Sequence, residues 1–277
     1  MKSVALPGGE RVPAFGMGTW RYGDDPARRA EEIATLRLGL ELGATLIDTA
    51  EMYGEGAAES LIGEAIAGMR DRVFLVSKVY PHNASRRGAP AACERSLKRL
   101  RTDRLDLYLL HWRGDVPLAE TIEAFERLKH EGKIRHWGVS NLDLADMKEL
   151  ESIASGGQPQ ANQLLYNLAR RGIEWDLLPW LRERRIPVMA YSPLEEGRIL
   201  RNKGLKAFGD RHGMTPAQAA LAWLLANGDV IVIPKTSSRA RLKEDLGALD
   251  HRFAAAQLAE LDRIFPPPGG PRALEMI

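Results

Sequence analysis

Four ionisable side chains of this 277-residue sequence stand at or just after the ends of short apolar, β-rich runs. They are Asp48, Tyr53, Lys78 and His111. Taken singly, a carboxylate, a phenol, an ammonium and an imidazole each have an ordinary explanation, as a helix cap or a structural polar group. If the runs are strands of one parallel barrel, however, all four side chains face the same mouth. Together they indicate acid–base chemistry.

The ordinary pKa values of these groups suggest a division of roles. A free phenol with a pKa near about 10 is a poor acid at neutral pH, but a nearby ammonium favours its ionised form and makes it a better proton donor. We therefore expect Lys78 to act on Tyr53, and Asp48 to keep Lys78 charged. His111 is expected to orient a substrate oxygen. Such a site suits protonation of a carbonyl oxygen while a cofactor delivers hydride.

Eight β-rich runs alternate with segments of helical periodicity at a spacing of about 30 residues, the size of a βαβ unit. The runs begin near Phe15, Thr45, Val73, Leu105, Lys133, Gln160, Val188 and Val230. Helices are predicted over Ala27–Leu42, Ala91–Leu100, Thr121–Glu131 and Leu144–Ala154, the last ending near Gly156 and Gly157. No Pro/Gly/Ser linker divides the pattern, so an α/β fold of the closed (β/α)8 TIM-barrel type is favoured over a two-domain doubly wound sheet.

Both ends of the chain should lie outside this repeat. Val4–Leu6 and Val12–Phe15 flank a Pro-Gly-Gly turn, which predicts an N-terminal β-hairpin. Pro266–Pro271 cannot be helical, so a short extended C-terminal tail is expected. Residues 1–277 are thus expected to form a single barrel domain.

Composition narrows the class of protein. The 39 Lys and Arg residues against 37 Asp and Glu give a net charge of only +2, which argues against a nucleic-acid partner. The apolar runs are far shorter than the roughly 18 residues that cross a bilayer, and the N-terminus lacks a signal-peptide stretch. We expect a cytoplasmic monomer with no membrane partner. The single cysteine, Cys93, is expected to be inert, and the six histidines show no metal-site spacing, so no metal is expected.

Two common signatures are incomplete. Gly16-Met17-Gly18 begins like a dinucleotide fingerprint, but Arg21 stands where the third glycine belongs. The segment Gly138–Leu142 lacks the final glycine of a serine-hydrolase elbow. Neither a Rossmann domain nor a serine hydrolase gains support.

Six segments together resemble the aldo-keto reductases, which are NAD(P)H-dependent carbonyl reductases on a (β/α)8 barrel. The segments are Leu46–Gly54, Val76–Lys78, Leu109–Trp112, Gly138–Asn141, Asn162–Gln163 and Ile233–Lys235, and the resemblance covers essentially the whole chain. It implies that Asp48, Tyr53, Lys78 and His111 form the family's catalytic tetrad, with Tyr53 as general acid. This agrees with the roles reasoned from the residues alone.

The resemblance also implies a site for the nicotinamide half of NADPH. Ser140, Asn141 and Gln163 would hold the carboxamide, and the ring of Tyr191 would stack on the nicotinamide. The other cofactor-binding positions that it implies here are Gly18, Thr19, Ser192, Pro193 and Leu194.

For the other half of the cofactor, the segment around the last strand resembles the family's 2′-phosphate and adenine site. The implied phosphate ligands, which favour NADPH over NADH, are Lys235, Thr236, Ser237 and Arg241. Glu244 fits the family's adenine contact. Asp245 stands where the family more usually has asparagine, although a carboxylate can still accept a hydrogen bond from an amine.

Trp20 and Trp112 are expected to wall the substrate pocket, with Tyr22 and Tyr80 as further candidates. Because long family members close the pocket with their C-terminal tail, the short tail here predicts an open, promiscuous site. Within the family, the sequence resembles small bacterial members that act on methylglyoxal and similar small aldehydes. Reduction of small carbonyls to alcohols is therefore the expected activity.

Two other classes compete with a reductase. The first is a cofactor-sensing binding protein, like the reductase-fold subunits of some potassium channels, against which the intact tetrad weighs. The second is a Schiff-base aldolase that uses Lys78. Asp48 should keep that lysine charged and therefore non-nucleophilic.

Overall fold

The computed structural model describes residues 2–153 and 158–277. The chain begins with an antiparallel hairpin of two strands, β1 (Ser3–Ala5) and β2 (Arg11–Pro13). Its turn is closed by the Leu6 amide, which donates to the Glu10 carbonyl at 2.8 Å. The amide of Gly8 donates to Gln160 Oε1 at 2.7 Å, shortly before a barrel strand begins. The hairpin therefore lies at the amino-terminal end of the barrel strands.

Eight parallel strands follow, and each is hydrogen-bonded to the next along the chain. They are β3 (Gly16–Gly18), β4 (Leu46–Asp48), β5 (Phe74–Val79), β6 (Leu105–Leu110), β7 (Ile134–Ser140), β8 (Asn162–Leu165), β9 (Val188–Tyr191) and β10 (Val230–Val232). Every residue of β5 and β6 is buried. This is expected of parallel strands that have helices on one face and a packed interior on the other.

The first and last strands close the sheet into a barrel. Phe15 pairs with Val232, and Gly18 pairs with Lys235, both in parallel orientation. The Gly18 amide donates to the Pro234 carbonyl at 2.9 Å. The predicted (β/α)8 TIM barrel is therefore confirmed.

Helices connect the strands on the outside of the barrel. Within the described ranges they are α1 (Arg29–Glu41), α2 (Ala57–Ala65), α3 (Gly88–Leu100), α4 (Leu118–His130), α5 (Leu144–Ser152), α6 (Leu177–Glu183), α7 (Lys203–His212), α8 (Pro216–Ala226), α9 (Arg239–Leu246) and α10 (Ala255–Ile264). Local sequence sets several helix starts. Asp143 caps α5 and Thr215 caps α8, each in a reciprocal capping box. None of these helices is long and apolar enough to cross a bilayer.

Element boundaries agree closely with the sequence-based expectations. Each barrel strand begins within two residues of its predicted start. Helices α3 and α4 begin at Gly88 and Leu118, three residues earlier than predicted. Each predicted start lies where the helical pattern of apolar residues becomes visible, and that position is within the first turn of the observed helix. The predicted helix end near Gly156 and Gly157 lies outside the described residues. Residues 266–277 form neither helix nor strand, as expected of the tail.

Gly18 leaves no room for a side chain at the barrel seam. A Cβ there would lie 2.8 Å from the carbonyl oxygen of Ile233, and the backbone cannot retreat without opening the seam. We expect Gly18→Ala to destabilise the protein by about 1–3 kcal/mol, measured by thermal or urea unfolding. Gly228→Ala is the matched control, because a Cβ at Gly228 meets no atom within 4 Å. Equal stability of the two variants would contradict the packing argument.

Candidate active site

Lys78 is the centre of a buried polar cluster at the carboxyl end of the barrel strands. Its side chain is fully buried on β5, and its ammonium group has three oxygen partners. It donates to Asp48 Oδ2 at 2.9 Å, to the carbonyl of Thr49 at 2.8 Å and to Tyr53 Oη at 3.2 Å. The three groups that the sequence argument required to be neighbours are therefore in direct contact.

The turn after β4 brings Tyr53 over the strand ends. Gly54 and Gly56 adopt φ values of 56° and 93°, in the left-handed region that favours glycine, and α2 begins immediately afterwards. Glu51 ties this turn to the next one, because its Oε1 accepts from the amide of Tyr80 at 2.8 Å and from Asn83 Nδ2 at 3.1 Å. The turn that carries Tyr53 is thus fixed to the segment that follows Lys78.

Burial raises the pKa of Tyr53 above the ordinary value of a phenol, and the charge and hydrogen bond of Lys78 only partly offset this rise. From the sequence, we expect the cation to increase the acidity of the phenol. That influence is present, but desolvation outweighs it. Burial alone would lower the pKa of Lys78, but Asp48 and Tyr53 together raise it. At neutral pH, therefore, Tyr53 is protonated and Lys78 is a cation.

This charge state bears on the aldolase alternative. A Schiff base needs a neutral amine with a free lone pair. The ammonium of Lys78 is instead held by the three oxygen acceptors described above, and its pKa is raised. The geometry gives the Schiff-base reaction no support.

His111 follows β6 and faces Tyr53, with the two ring centroids 5.9 Å apart at an angle of 71°. Burial, with the charge of Lys78 as the smaller cause, lowers the pKa of His111 to about 2. The Nδ1 atom is buried and has no hydrogen-bond partner in the part of the chain that the structure describes. The ring is therefore neutral at physiological pH and can donate a hydrogen bond from one nitrogen only.

A continuous hydrogen-bond network leads from the tetrad to the neighbouring strands. Gln163 Nε2 donates to Asp48 Oδ1 at 2.8 Å, and Ser140 Oγ donates to the Gln163 carbonyl at 3.0 Å. Asn141 Nδ2 donates to Ser140 Oγ at 3.1 Å, and the hydroxyl of Tyr191 donates to Asn141 Oδ1 at 3.1 Å. The positions predicted to hold a carboxamide and a planar ring are thus adjacent to one another and to the acid–base cluster.

A cleft of about 1020 Å³ runs from the tetrad along the barrel mouth. Lys78 lies behind Tyr53 and does not line it. Apart from the two further candidates Tyr22 and Tyr80, the other residues predicted from the sequence to form the site do line it: Asp48, Tyr53, His111, Trp20, Trp112, Gly18, Thr19, Ser140, Asn141, Gln163, Tyr191, Ser192, Pro193, Leu194, Lys235, Thr236, Ser237, Arg241, Glu244 and Asp245. Trp20 packs edge-on against Tyr53, with centroids 5.2 Å apart, and is 41% exposed. The two tryptophans therefore flank the tetrad at the mouth.

Arg28 supplies a positive charge at the end of the cleft away from the tetrad, here called the far end. It is not among the site residues predicted from the sequence. It belongs to the turn after β3, lines the cleft and donates a hydrogen bond to the side-chain hydroxyl of Ser237. Burial, followed by the charge of Arg28, lowers the pKa of Lys235. A cation on a strand-end loop of a barrel could have been considered from the sequence, but its contact with Ser237 spans 209 residues of chain.

The C-terminal tail also reaches the cleft, which the sequence did not indicate. Met276 and Ile277 line it, and the neighbouring Glu275 forms an ion pair with Arg170 at 2.6 Å. Arg170 is in turn bound to Glu195, which follows β9, at 2.9 Å. The short tail thus contributes to the wall of the cleft, and the open, promiscuous site expected from its length stays a prediction. The ion pairs draw the tail towards the mouth.

The two additional tyrosines predicted near the substrate do not line the cleft. Tyr22 is buried, its hydroxyl donates to the Thr236 carbonyl at 2.6 Å, and Lys235 Nζ lies 5.5 Å from its ring centroid. It supports the far end instead. Tyr80 packs edge-on against Trp112, with centroids 5.9 Å apart, and so supports the pocket wall from behind.

The structure also describes the residues considered for metal and thiol chemistry. Among residues 2–153 and 158–277, no group of three His, Cys, Asp or Glu side chains is placed to hold a metal ion. Cys93 lies on α3 and is buried, which raises the pKa of its thiol to about 12. A thiol this weakly acidic is a poor nucleophile at neutral pH.

Comparison with known proteins gives one consistent result. A model of the aldo/keto reductase family matches residues 14–265. Methylglyoxal reductase YeaE of Escherichia coli (strain K12) is 50% identical over 281 residues, which cover 100% of this chain and 99% of the relative. Glyoxal reductase of Bacillus subtilis (strain 168) is 31% identical over 264 residues, which cover 95% and 92%.

Solved structures agree. The crystal structure of an aldo/keto reductase from Klebsiella pneumoniae in complex with NADP and acetate superposes with a TM-score of 0.97 at 49% identity, covering 100% of this chain and 99% of that one. The fold and the site define an α/β-barrel protein with acid–base groups at its mouth. This chain belongs to the aldo/keto reductase family, and the family resemblance seen in the sequence is confirmed.

The lowered pKa of His111 predicts a ring that stays neutral over the whole physiological range. In ¹⁵N NMR of ring-labelled protein, we expect the His111 signals to keep their neutral shifts from about pH 8 to about pH 4, because protonation would bury a second charge beside Lys78. An unperturbed histidine titrates near about 6.5. Loss of the signals in His111→Gln assigns them. A protonation midpoint for His111 close to the unperturbed value would contradict the electrostatic picture.

Proposed function

We propose that this protein reduces aldehydes and ketones to alcohols with NADPH and that Tyr53 is the general acid. The observation that carries the proposal is the contact of Lys78 with both Asp48 and Tyr53, next to a neutral His111. Membership of the aldo/keto reductase family and the NADP in the similar Klebsiella structure support it.

The residues of the cleft fit this cofactor. Bound NADPH supplies the hydride that reduces the carbonyl carbon. The amide nitrogen of Gln163 donates its hydrogen bond to Asp48. The side-chain oxygen of Gln163 can therefore accept a hydrogen bond from the carboxamide of the nicotinamide, beside Ser140 and Asn141. Tyr191 offers an aromatic ring next to that set. At the other end, Arg28, Lys235 and Arg241 line the cleft and suit a phosphate dianion.

Proton transfer then follows from the tetrad. The neutral imidazole of His111 donates a hydrogen bond to the substrate oxygen and orients it. As negative charge develops on that oxygen, the hydroxyl of Tyr53 gives up its proton and the alcohol forms. The phenolate that remains is stabilised by the ammonium of Lys78 at 3.2 Å, and Asp48 keeps that ammonium charged and fixed.

We further propose that small carbonyls such as methylglyoxal are substrates. Trp20 packs against Tyr53 and Trp112 against His111, so the two tryptophans provide apolar walls beside these groups. The names of the Escherichia coli and Bacillus subtilis relatives support the same substrate class. We also propose that the protein is a monomer and that it is located in the cytoplasm.

Replacement of Tyr53 by phenylalanine tests the mechanism. Tyr53→Phe removes the proton donor but keeps the ring that packs against Trp20 and His111. We expect kcat to fall at least about 100-fold, because general acid catalysis of this kind contributes roughly 10² to 10⁴. NADPH affinity, measured by fluorescence titration, should change little. Full turnover by the variant would eliminate Tyr53 as the acid.

Tyr108→Phe is the matched control for this experiment. Tyr108 lies on β6, is fully buried and is not among the residues that line the cleft. Its hydroxyl has no hydrogen-bond partner among the described residues, so its removal breaks no hydrogen bond. We expect unchanged kcat. A large loss in this variant would mean that kcat responds to any buried phenol and would weaken the assignment of Tyr53.

Cofactor choice is tested separately at Arg241. We expect Arg241→Ala to weaken NADPH binding by about 1.5–3 kcal/mol, the usual cost of losing a hydrogen bond to a charged group, and to leave NADH binding nearly unchanged. Arg239→Ala is the control on the same helix, since Arg239 is paired with Glu31 and does not line the cleft. Equal weakening of both cofactors by Arg241→Ala would reject the phosphate role.

A further inference from the structure

Asp245 is a buried carboxyl group at the far end of the cleft. It lies near the end of α9 and is only 4% exposed, yet it is one of the residues that line the cleft. Glu244 beside it also lines the cleft. Two carboxyl groups therefore stand where the proposed function places the adenosine half of a cofactor that is itself anionic.

The Asp245 carboxyl has no hydrogen-bond partner among residues 2–153 and 158–277, and it belongs to no ion pair there. Arg241 is one turn earlier on α9 and acts on it through its charge only. A buried carboxylate without partners is unfavourable, because burial in a protein penalises the charged form.

The elements that pack against α9 do not supply the missing partner. On α8, Ala217 lines the cleft and Gln218 donates to the backbone carbonyl of Glu244 at 3.2 Å. On α1, Glu31 is paired with Arg239. Lys243 and Asp250 are both exposed, and Arg28 and Lys235 at this end of the cleft form no ion pair with Asp245 among the described residues. Glu196, Arg198 and Arg201 also line the cleft.

The hydrogen-bonding capacity of the two protonation states differs in a way that matters for adenine. A carboxylate can only accept, whereas a protonated carboxyl group offers one O–H donor and one carbonyl acceptor. Adenine presents an N6 amine donor next to an N7 acceptor, the pair that an asparagine amide recognises with two hydrogen bonds. Only the neutral acid can reproduce that pattern. The carboxylate would also face the N7 lone pair and lie close to the cofactor phosphates.

We propose that Asp245 binds the adenine ring of NADPH as a neutral carboxylic acid, so that cofactor binding takes up one proton. The inference rests on the proposed function only for the identity of the cofactor and does not depend on the reaction. The family's more usual asparagine would make the same contact without a proton. In this chain, therefore, the residue type couples cofactor affinity to pH.

The electrostatics of the site agree with this assignment. Burial, and then the charge of Glu244, raise the pKa of Asp245 to about 7, while Arg241 opposes the rise. The neutral form prevails below that pH and the ionised form above it. Binding that requires the neutral form must weaken as the pH rises through 7, since the proton has to be supplied from solution.

Isothermal titration calorimetry of NADPH binding tests the proposal. Titrations at about pH 8 in two buffers of different ionisation enthalpy give the number of protons taken up. With a free pKa of about 7, we expect the wild type to take up about 0.9 proton more than Asp245→Asn. Between pH 6 and pH 8, the Kd of the wild type should rise about tenfold relative to that of the variant.

Comparison with the variant separates Asp245 from other titrating groups. Proton exchange at Lys235 and at the 2′-phosphate occurs in both proteins and cancels in the difference. NADH carries adenine but no 2′-phosphate, so with NADH the wild type should still take up about 0.9 proton more than Asp245→Asn at pH 8. Asp245→Ala, which also removes the titrating carboxyl group, gives the same comparison if Asp245→Asn fails to fold.

Equal proton uptake and parallel pH profiles for wild type and variant would overturn the proposal, as would a difference in uptake near zero with NADH. The proposed function fails differently. NADPH binding with the expected proton uptake, but without reduction of any carbonyl, would leave the role of Asp245 intact and reject the reductase. Absence of NADPH binding would reject both.

Discussion

The buried ion pair between Lys78 and Asp48 is the interaction on which the site depends. Two charges removed from water are costly unless geometry and further hydrogen bonds compensate them, and removal of one partner typically costs about 3–5 kcal/mol. Here Lys78 has three oxygen partners, and Asp48 uses both carboxylate oxygens, one for Lys78 and one for Gln163. The pair is therefore fully satisfied, and it fixes a cation within 3.2 Å of the Tyr53 hydroxyl.

The barrel explains how one ion pair can organise so large a cleft. Neighbouring parallel strands end at the same mouth, so side chains that are far apart in sequence stand next to each other in space. Asp48 on β4, Lys78 on β5 and Gln163 on β8 meet across the barrel interior. From Gln163 the hydrogen bonds continue through β7 to Tyr191 at the end of β9. The acid–base cluster and the end of the cleft proposed to hold the nicotinamide are therefore one connected structure.

The two ends of the cleft differ in electrostatic character. Near the tetrad, burial keeps Tyr53 protonated and His111 neutral, so that Lys78 is the positive charge able to stabilise a developing phenolate. At the far end, cations from the turn after β3 and the segment after β10 line the same cleft as the carboxyl groups of Glu244 and Asp245. A ligand with phosphates at one end and a neutral reactive ring at the other matches this gradient of charge.

The sequence by itself determined the barrel and the positions of the tetrad, because both depend on local patterns. Runs that are apolar on both faces identify parallel strands, and the residues that end them must lie at the mouth. Tertiary structure alone decided the direction of the Tyr53 pKa, the contact of Arg28 with Ser237 and the position of the tail beside the cleft. A pKa depends on how completely the whole fold excludes water from a group, and contacts across 209 residues depend on how the barrel closes. Neither quantity is encoded in the spacing of neighbouring residues.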